Sequence, residues 1–267
     1  MMKSIKQLMD MHERTVLITG ALGGLGQVFA ETISELGGDL LLVDYPRSDY
    51  SVLTKKLSKY DNQIFCIDCD LESEEDRKAL ITKIYASNID LSVLINNAAF
   101  AGTSDLDGWI TKFEEQSLST WKRAIEVNLN AVFDLSRELT PLLRKSGKGS
   151  IINIASIYGL NGPNMALYKD TAMGNPAAYA ASKGGLIQFS RWLATVLAPD
   201  IRVNSISPGG IFRNQSKKFI ERYEGKTPLN RMATEEDLKG IIAYLSSDLS
   251  AYVTGENIVV DGGFTTW

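Results

Sequence analysis

The chain has 267 residues, 44% of them hydrophobic, with a formal net charge of -4 and a pI near 5.2. It is long enough to bury a full core as one domain, and it offers no basic field for a nucleic-acid backbone. No window approaches the roughly 18 apolar residues of a membrane span, and residues 1–14 lack the apolar centre of a secretory signal. A cytoplasmic protein acting on a small molecule is expected, with neither membrane nor nucleic acid as partner.

His12 is the only histidine, which leaves a Ser-His-Asp triad or a histidine metal centre without parts. The two cysteines, Cys66 and Cys69, spell C-x-x-C, but they fall on a predicted strand over 63–69. Residues three apart on a strand face opposite sides, so no metal or redox pair is expected.

In chain order, Arg14 to Thr19 is a short β-type run, followed by a glycine turn, Thr19-Gly20-Ala21-Leu22-Gly23-Gly24-Leu25-Gly26, and a helical pattern carrying Val28, Phe29, Ile33 and Leu36. Strand, glycine turn and helix let a pyrophosphate approach the backbone at a helix N-terminus, near Gly20, Gly24, Leu25 and Gly26. Glycines 20, 24 and 26 give G-x-x-x-G-x-G and glycines 20, 23 and 26 give G-x-x-G-x-x-G, so spacing alone leaves the pattern open. A second apolar strand, Asp39 to Val43, ends in Asp44. An acid there accepts both ribose hydroxyls of NAD and repels the 2′-phosphate of NADP; Arg47 close by is the one counter-argument for NADP.

Residues 51–60 are a predicted helix, 63–69 a strand, and Asp70-Leu71 a turn into a helix from Ser73, its N-cap, to Ala86. Leu91 to Ile95 is a buried strand running into Asn96-Asn97-Ala98-Ala99, small residues that let the chain pass close to a cofactor. Thr120 to Leu139 is a long helix with Asn128 near its middle, where an amide needs a reason. Ser150 to Ala155 is a strand ending at Ser156. Tyr179-Ala180-Ala181-Ser182-Lys183 follows, and a tyrosine and a lysine four apart on a helix share one face. A free phenol titrates near pH ~10, and a neighbouring ammonium stabilises its phenolate. Residues 201–206 form another strand, with Pro208-Gly209-Gly210-Ile211 at its end. Residues 212–232 are polar, Thr234 caps a helix to Leu245, and 257–263 are a last strand and turn. This alternation predicts an α/β fold, a doubly wound parallel sheet of about seven strands in a single domain over 1–267.

Taken together, Thr19-Gly20-x-x-x-Gly24-x-Gly26, Asp70-Leu71, Asn96-Asn97-Ala98-Ala99, Asn128, Ser156, Tyr179-x-x-x-Lys183 and Pro208-Gly209 resemble the short-chain dehydrogenase/reductase family over residues 14–263. The resemblance selects the 20/24/26 glycine pattern and implies a Rossmann-type fold. It implies a catalytic tetrad of Asn128, Ser156, Tyr179 and Lys183. Tyr179 would be the acid/base, Lys183 would lower its pKa and hold the nicotinamide ribose, Ser156 would position the substrate oxygen, and Asn128 would fix a water in the proton path. Asp70 with Leu71 would meet the adenine, Asn97 with Ala98 the adenosine ribose, and Pro208, Gly209 and Ile211 the nicotinamide side. The family also implies a homo-oligomer, tetramer or dimer, and the apolar Phe264 and Trp267 suit either an interface or packing on their own subunit.

Three departures stand out. Ala99 replaces a glycine; Arg213 replaces a threonine that often contacts the cofactor; and the connection from Ser156 to Tyr179 is longer than usual, carrying an insert over about 160–175. That insert, with Tyr168 and Lys169, and the loop over 212–232, with Arg213, are expected to overhang the substrate. Such a wall suits a hydroxylated or anionic molecule, and the Tyr-Lys-Asp-Thr segment resembles reductases of bacterial surface-sugar and flagellin-glycan synthesis; the plain alternative is a solvated loop. The expectation is an NAD-dependent interconversion of a secondary alcohol and a ketone on a sugar-like substrate. A 3-oxoacyl-carrier-protein reductase using NADPH and an idle dinucleotide-binding scaffold are the alternatives.

Overall fold

A computed structural model describes residues 2–101 and 106–267. Seven strands form one parallel sheet in the order β3-β2-β1-β4-β5-β6-β7. They are β1 (Thr15–Thr19), β2 (Asp39–Asp44), β3 (Ile64–Asp68), β4 (Leu91–Asn96), β5 (Gly149–Ile154), β6 (Ile201–Pro208) and β7 (Asn257–Val260). The central strands β1, β2, β4 and β5 are buried along nearly their whole length because both faces of the sheet are covered there, whereas the edge strands β3 and β7 are partly exposed.

Alternate side chains divide between two cores. Leu17, Leu41, Leu94, Ile151 and Val203 face one layer of helices: α4 (Glu74–Ala86), α6 (Ala131–Lys145) and α7 (Ala177–Leu197). Ile18, Leu42, Ile95, Ile152 and Ile206 face the other: α2 (Gly24–Glu35), α3 (Ser51–Leu57) and α9 (Lys239–Ser246). Each fully buried leucine or isoleucine contributes roughly 1.5–3 kcal/mol, so the two layers hold the strand ends in fixed register.

Several elements differ from the sequence expectation in informative ways. Ser73 caps α4 as expected, its Oγ accepting from the Asp76 N–H at 3.1 Å. The helix expected over 120–139 runs from α5 (Leu118–Ile125) through a π turn, Glu126–Asn130, into α6. It continues past Leu139 and through Pro141 because Leu143 extends the buried stripe. Asn128 sits in the π turn, a feature that concentrates at functional sites.

Residues 212–232, read as a polar loop, contain α8 (Lys217–Glu224), which buries Phe219 and Tyr223 one turn apart. The short α1 (Ile5–Met9) was also not anticipated. Cys66 is exposed and Cys69 buried beyond the end of β3. Among the described residues no helix is long and apolar enough to cross a membrane.

Among the glycines, the least room for a side chain lies where β1 hands over to α2. A Cβ on Gly26 would fall 2.1 Å from the Gly20 carbonyl oxygen, a backbone atom that cannot move aside. Gly26→Ala should therefore lose about 3 kcal/mol of stability in urea unfolding, the high end of overpacking. Gly162→Ala, whose added methyl meets nothing within 4 Å, should stay within about 0.5 kcal/mol of the parent chain.

Candidate active site

The strand order reverses between β1 and β4, and in such sheets the crevice opens outside the carboxyl ends at that point. A cavity of about 700 Å³ lies there. Gly20, Gly24, Leu25, Asp44, Asp70, Leu71, Asn97, Ala98, Pro208, Gly209 and Ile211 line it together with Ser156, Tyr179 and Lys183. Of the expected cofactor residues only Gly26 stays outside the lining, buried beneath Gly20.

The glycine end is built by backbone proximity. Gly20 has φ +63°, in the left-handed region, and a Cβ there would sit 2.9 Å from the Ala98 Cα. The Asn97 amide donates to the carbonyls of Thr19 and Gly20, both at 3.0 Å. Thr19 Oγ1 accepts from the N–H groups of Asn97 and Ala98 at 3.0 and 3.1 Å. The ends of β1 and β4 are thus locked together, and the side chain of Asn97 is spent on that lock.

Asp44 is fixed just as firmly. Its carboxylate accepts from the N–H of Leu22 at 2.7 Å and of Tyr45 at 2.8 Å. Arg47 is not in the cavity lining; its own N–H donates to Asp68 at 3.0 Å. Next along the wall, Asp70 accepts from the Glu72 N–H at 2.9 Å, and the Leu71 carbonyl accepts from the buried Arg77 at 2.6 Å. Arg123, which the sequence did not single out, also lines this end, paired with Glu72 at 2.7 Å and lying over the Phe100 ring. A glycine cradle at the start of a helix, an anchored acid at the end of the next strand and a long cavity between two layers fit a dinucleotide.

At the other end, Tyr179, Ser156 and Lys183 converge from α7 and the end of β5. Burial pushes the Tyr179 phenol up, and a hydrogen bond with Ser156 and the charge of Arg213 pull it back. Ser156 Oγ also accepts from the Tyr158 N–H at 3.2 Å. Lys183 Nζ donates to the Ile154 carbonyl at 2.6 Å and lies 5.8 Å from the centre of the Tyr179 ring. Lys183 is thus near the phenol, as the i, i+4 spacing led one to expect, with its Nζ paired to the strand-end carbonyl because buried N–H groups must be paired. Burial lowers the Lys183 pKa to about 7.

Asn128 is fully buried behind this group rather than in the cavity. Its Oδ1 accepts from the Phe100 N–H at 2.8 Å, and its Nδ2 donates to the Phe100 carbonyl at 3.1 Å and to Ser182 Oγ at 3.0 Å. Ser182 Oγ in turn donates to the Tyr179 carbonyl at 2.9 Å. Both amide hydrogens are used within the protein, so the side chain is not left to hold a water through them. It ties the segment after β4 to the helix that carries Tyr179.

The insert reaches the cavity through Tyr168, one of the expected residues, and through neighbours that were not singled out, while Lys169 stays outside. Tyr168, Met173, Gly174 and Asn175 line it, joined by Tyr158, Phe219, Tyr223 and Met232. The hydroxyls of Tyr158 and Tyr168 share a hydrogen bond at 2.5 Å, Tyr223 stacks on Phe264 at 4.4 Å, and its hydroxyl accepts from the Gly210 N–H at 2.5 Å. Burial raises the pKa values of Tyr158 and Tyr168 and pushes Tyr223 up to about 12, so all three are neutral at pH 7. Lys169 is exposed and outside the lining, whereas Arg213 is inside it. Phe264 therefore packs on its own subunit, while Trp267 stays exposed.

A family model described as Enoyl-(Acyl carrier protein) reductase matches residues 20–265. The chain belongs to the short-chain dehydrogenase/reductase family. It is accordingly an NAD(P)-dependent oxidoreductase acting on CH–OH groups. A short chain dehydrogenase from Leptospira borgpetersenii, solved with bound NAD+, superposes with a TM-score of 0.84 at 35% identity, covering 99% of this chain and 97% of that one. Nodulation protein G of Rhizobium sp. (strain N33) is 31% identical over 263 residues, 96% of this chain and 98% of that protein. Post-translational flagellin modification protein A of Campylobacter coli is 27% identical over 256 residues, 95% of this chain and 99% of that protein.

The buried amine of Lys183 has a measurable consequence. Its pKa is about 7 folded and about 10.4 unfolded, so between these values the unfolded chain binds more protons and this group makes stability rise with pH. Its penalty is complete below pH 7 and gone above the unfolded pKa. Relative to Lys183→Met, the parent protein without cofactor should gain about 1.4 kcal/mol per pH unit between pH ~7.5 and ~9.5. Urea unfolding at three pH values checks this; parallel stability curves for the two proteins would contradict it.

Proposed function

We propose that the chain is an NAD-dependent oxidoreductase that interconverts a secondary alcohol and a ketone on a polyhydroxylated, sugar-like substrate. The preference for NAD rests on Asp44, whose anchored carboxylate suits two ribose hydroxyls and opposes a 2′-phosphate, and on Arg47 lying outside the cavity lining. When bound, the nicotinamide exchanges a hydride with the substrate carbon. The protein's part is to orient the reactants and manage one proton.

In this reading Tyr179 takes the hydroxyl proton in the oxidative direction and returns it to the carbonyl oxygen in the reductive one. Ser156 orients that oxygen beside the phenol. Lys183, held by the Ile154 carbonyl, supplies a cation near the phenol that favours phenolate whenever it is protonated. Asn128 is a positioning residue that sets the height of α7 through Phe100 and Ser182.

The observation that carries the substrate class is Asn175. Its Oδ1 is buried at the cavity wall without a hydrogen-bond partner, and a buried acceptor of this kind calls for a donor. A substrate hydroxyl supplies one, while the rings of Tyr158, Tyr168 and Tyr223 offer flat apolar faces with hydroxyl rims to the rest of a sugar-like ring. A homo-oligomer is part of the same reading, supported by the exposed Phe133, Trp192 and Val196 on α6 and α7.

Tyr179→Phe should lower kcat by about 10²–10⁴-fold and leave the NADH dissociation constant within about twofold. Near-normal turnover of the variant would sink the tyrosine assignment. Asp44→Ala should weaken NADH about tenfold, the loss of a charge-assisted hydrogen bond pair, and NADPH far less. Equal losses for the two cofactors, or tighter NADPH than NADH in the parent protein, would point to the carrier-protein reductase instead. A screen of polyols, sugars and sugar acids by nicotinamide absorbance tests the substrate class, with cyclic alcohols lacking further hydroxyls as the contrasting set.

A further inference from the structure

Arg213 stands where the family usually places a threonine, and the structure shows what the longer side chain reaches. Its guanidinium lies back across the crevice over the glycine turn. A Cβ on Gly24 would be 3.1 Å from Arg213 Nη2 and 2.9 Å from Glu235 Oε1. Arg213 Nε donates to that same Glu235 oxygen at 3.2 Å. The ion pair thus rests against the first residue of α2, a helix of 12 residues whose first turn has no acidic residue and whose N-cap, Gly23, makes no side-chain cap bond. A helix N-terminus carries a partial positive charge. Glu235 therefore places a carboxylate between two positive features, the start of α2 and the guanidinium.

The surroundings hold this arrangement from both sides. Gln215 Oε1 accepts from the Arg213 N–H at 2.7 Å and Gln215 Nε2 donates to the Ile211 carbonyl at 2.7 Å, closing the turn from which Arg213 projects. Glu235 opens the short helix Glu235–Leu238, which is fixed by the capping box of Thr234 and Asp237 and by Arg231 on Asp237 at 2.7 Å. The pair itself is only half-buried, at 44% and 27% side-chain exposure, so it can exchange partners without unpacking the core.

We propose that Arg213 is the pyrophosphate ligand of this site and that Glu235 is a built-in competing anion, which Arg213 must leave to bind a diphosphate. The proposal rests on the dinucleotide reading above. It follows from charge and geometry: a diphosphate carries more charge and more acceptor oxygens than one carboxylate, and a guanidinium meets such oxygens in a fork. It also makes the departure from threonine intelligible, since a hydroxyl contact is exchanged for a cationic one whose strength is set by its internal partner.

The test is calorimetric titration with ADP-ribose and with NADH at low and moderate salt, on the parent protein and on Arg213→Ala, Arg213→Lys and Glu235→Gln. ADP-ribose has the diphosphate and lacks the nicotinamide. Arg213→Ala should weaken both ligands by the same factor, about 10–100-fold, and flatten the salt dependence; Arg213→Lys should recover part of the loss. Glu235→Gln should tighten both ligands several-fold. If Arg213→Ala binds ADP-ribose as the parent does while KM for the alcohol rises, Arg213 contacts substrate and the proposal is overturned. If Glu235→Gln weakens ADP-ribose, Glu235 positions Arg213 rather than competing for it, and the competing-anion half is overturned. If the parent protein binds neither ligand, the dinucleotide reading itself falls.

Discussion

The rest of the site depends on how closely the end of β1 approaches the start of α2. Gly26 leaves no room for a methyl beside the Gly20 carbonyl, and Gly20 in turn passes within contact of Ala98 at the end of β4. With those three segments pressed together, Asp44, Asp70 and the residues after β4 are brought to one crevice, and β5 and β6 add Ser156 and Pro208 beside them. A side chain at Gly20 or Gly26 would separate the layers before it altered any chemistry. The glycine turn is therefore first a packing requirement and only through that a place where an anion can meet backbone.

Much of this was legible in the sequence because it is local. Glycines between a strand and a helix, an acid at a strand end and a tyrosine four residues before a lysine each fix a geometry that neighbouring residues suffice to define. The strand count and the positions of Ser156, Tyr179, Lys183 and Asp44 follow from such signals, and the structure brings them to one cavity. Gly26, common to both glycine spacings, has the least room for a Cβ, and Gly24, which the resemblance prefers to Gly23, lies under the Arg213–Glu235 pair.

The substrate wall was less legible, for a physical reason. Polarity suggested that the insert and the loop after β6 form a hydrophilic wall over the substrate, but Asn161, Asn164, Lys169 and Asp170 lie exposed outside the cavity lining. What makes the wall is long-range: Tyr168 from the insert packs on Phe219, Phe219 on Tyr223, and Tyr223 on Phe264 near the C-terminus. Phe219 and Tyr223 are an i, i+4 pair in a short helix whose only other apolar residue is Ile220, a pattern too short to announce itself. Asn128 shows the complementary limit. Its place in the π turn and its three partners depend on a helix register and on Phe100, 28 residues away, so the sequence could flag an unusual amide without saying what it holds.

The same fold also tolerates a destabilising group at the centre of its proposed chemistry. A lysine with 3% exposure and one carbonyl partner sits where burial disfavours its charge, and beside it burial disfavours the phenolate of Tyr179. Each charged form is costly alone; formed together, ammonium and phenolate relieve one another, since opposite charges in a low-dielectric site attract more strongly than in water. With both groups neutral the balance lies with the proton on the phenol, and a protonated Lys183 shifts it toward phenolate. Ser156 and Arg213 tilt that balance toward the phenolate. If Arg213 turns to a diphosphate, as proposed, part of that tilt is withdrawn when cofactor binds, so the proton affinity of Tyr179 is coupled to occupancy of a site at the other end of the crevice.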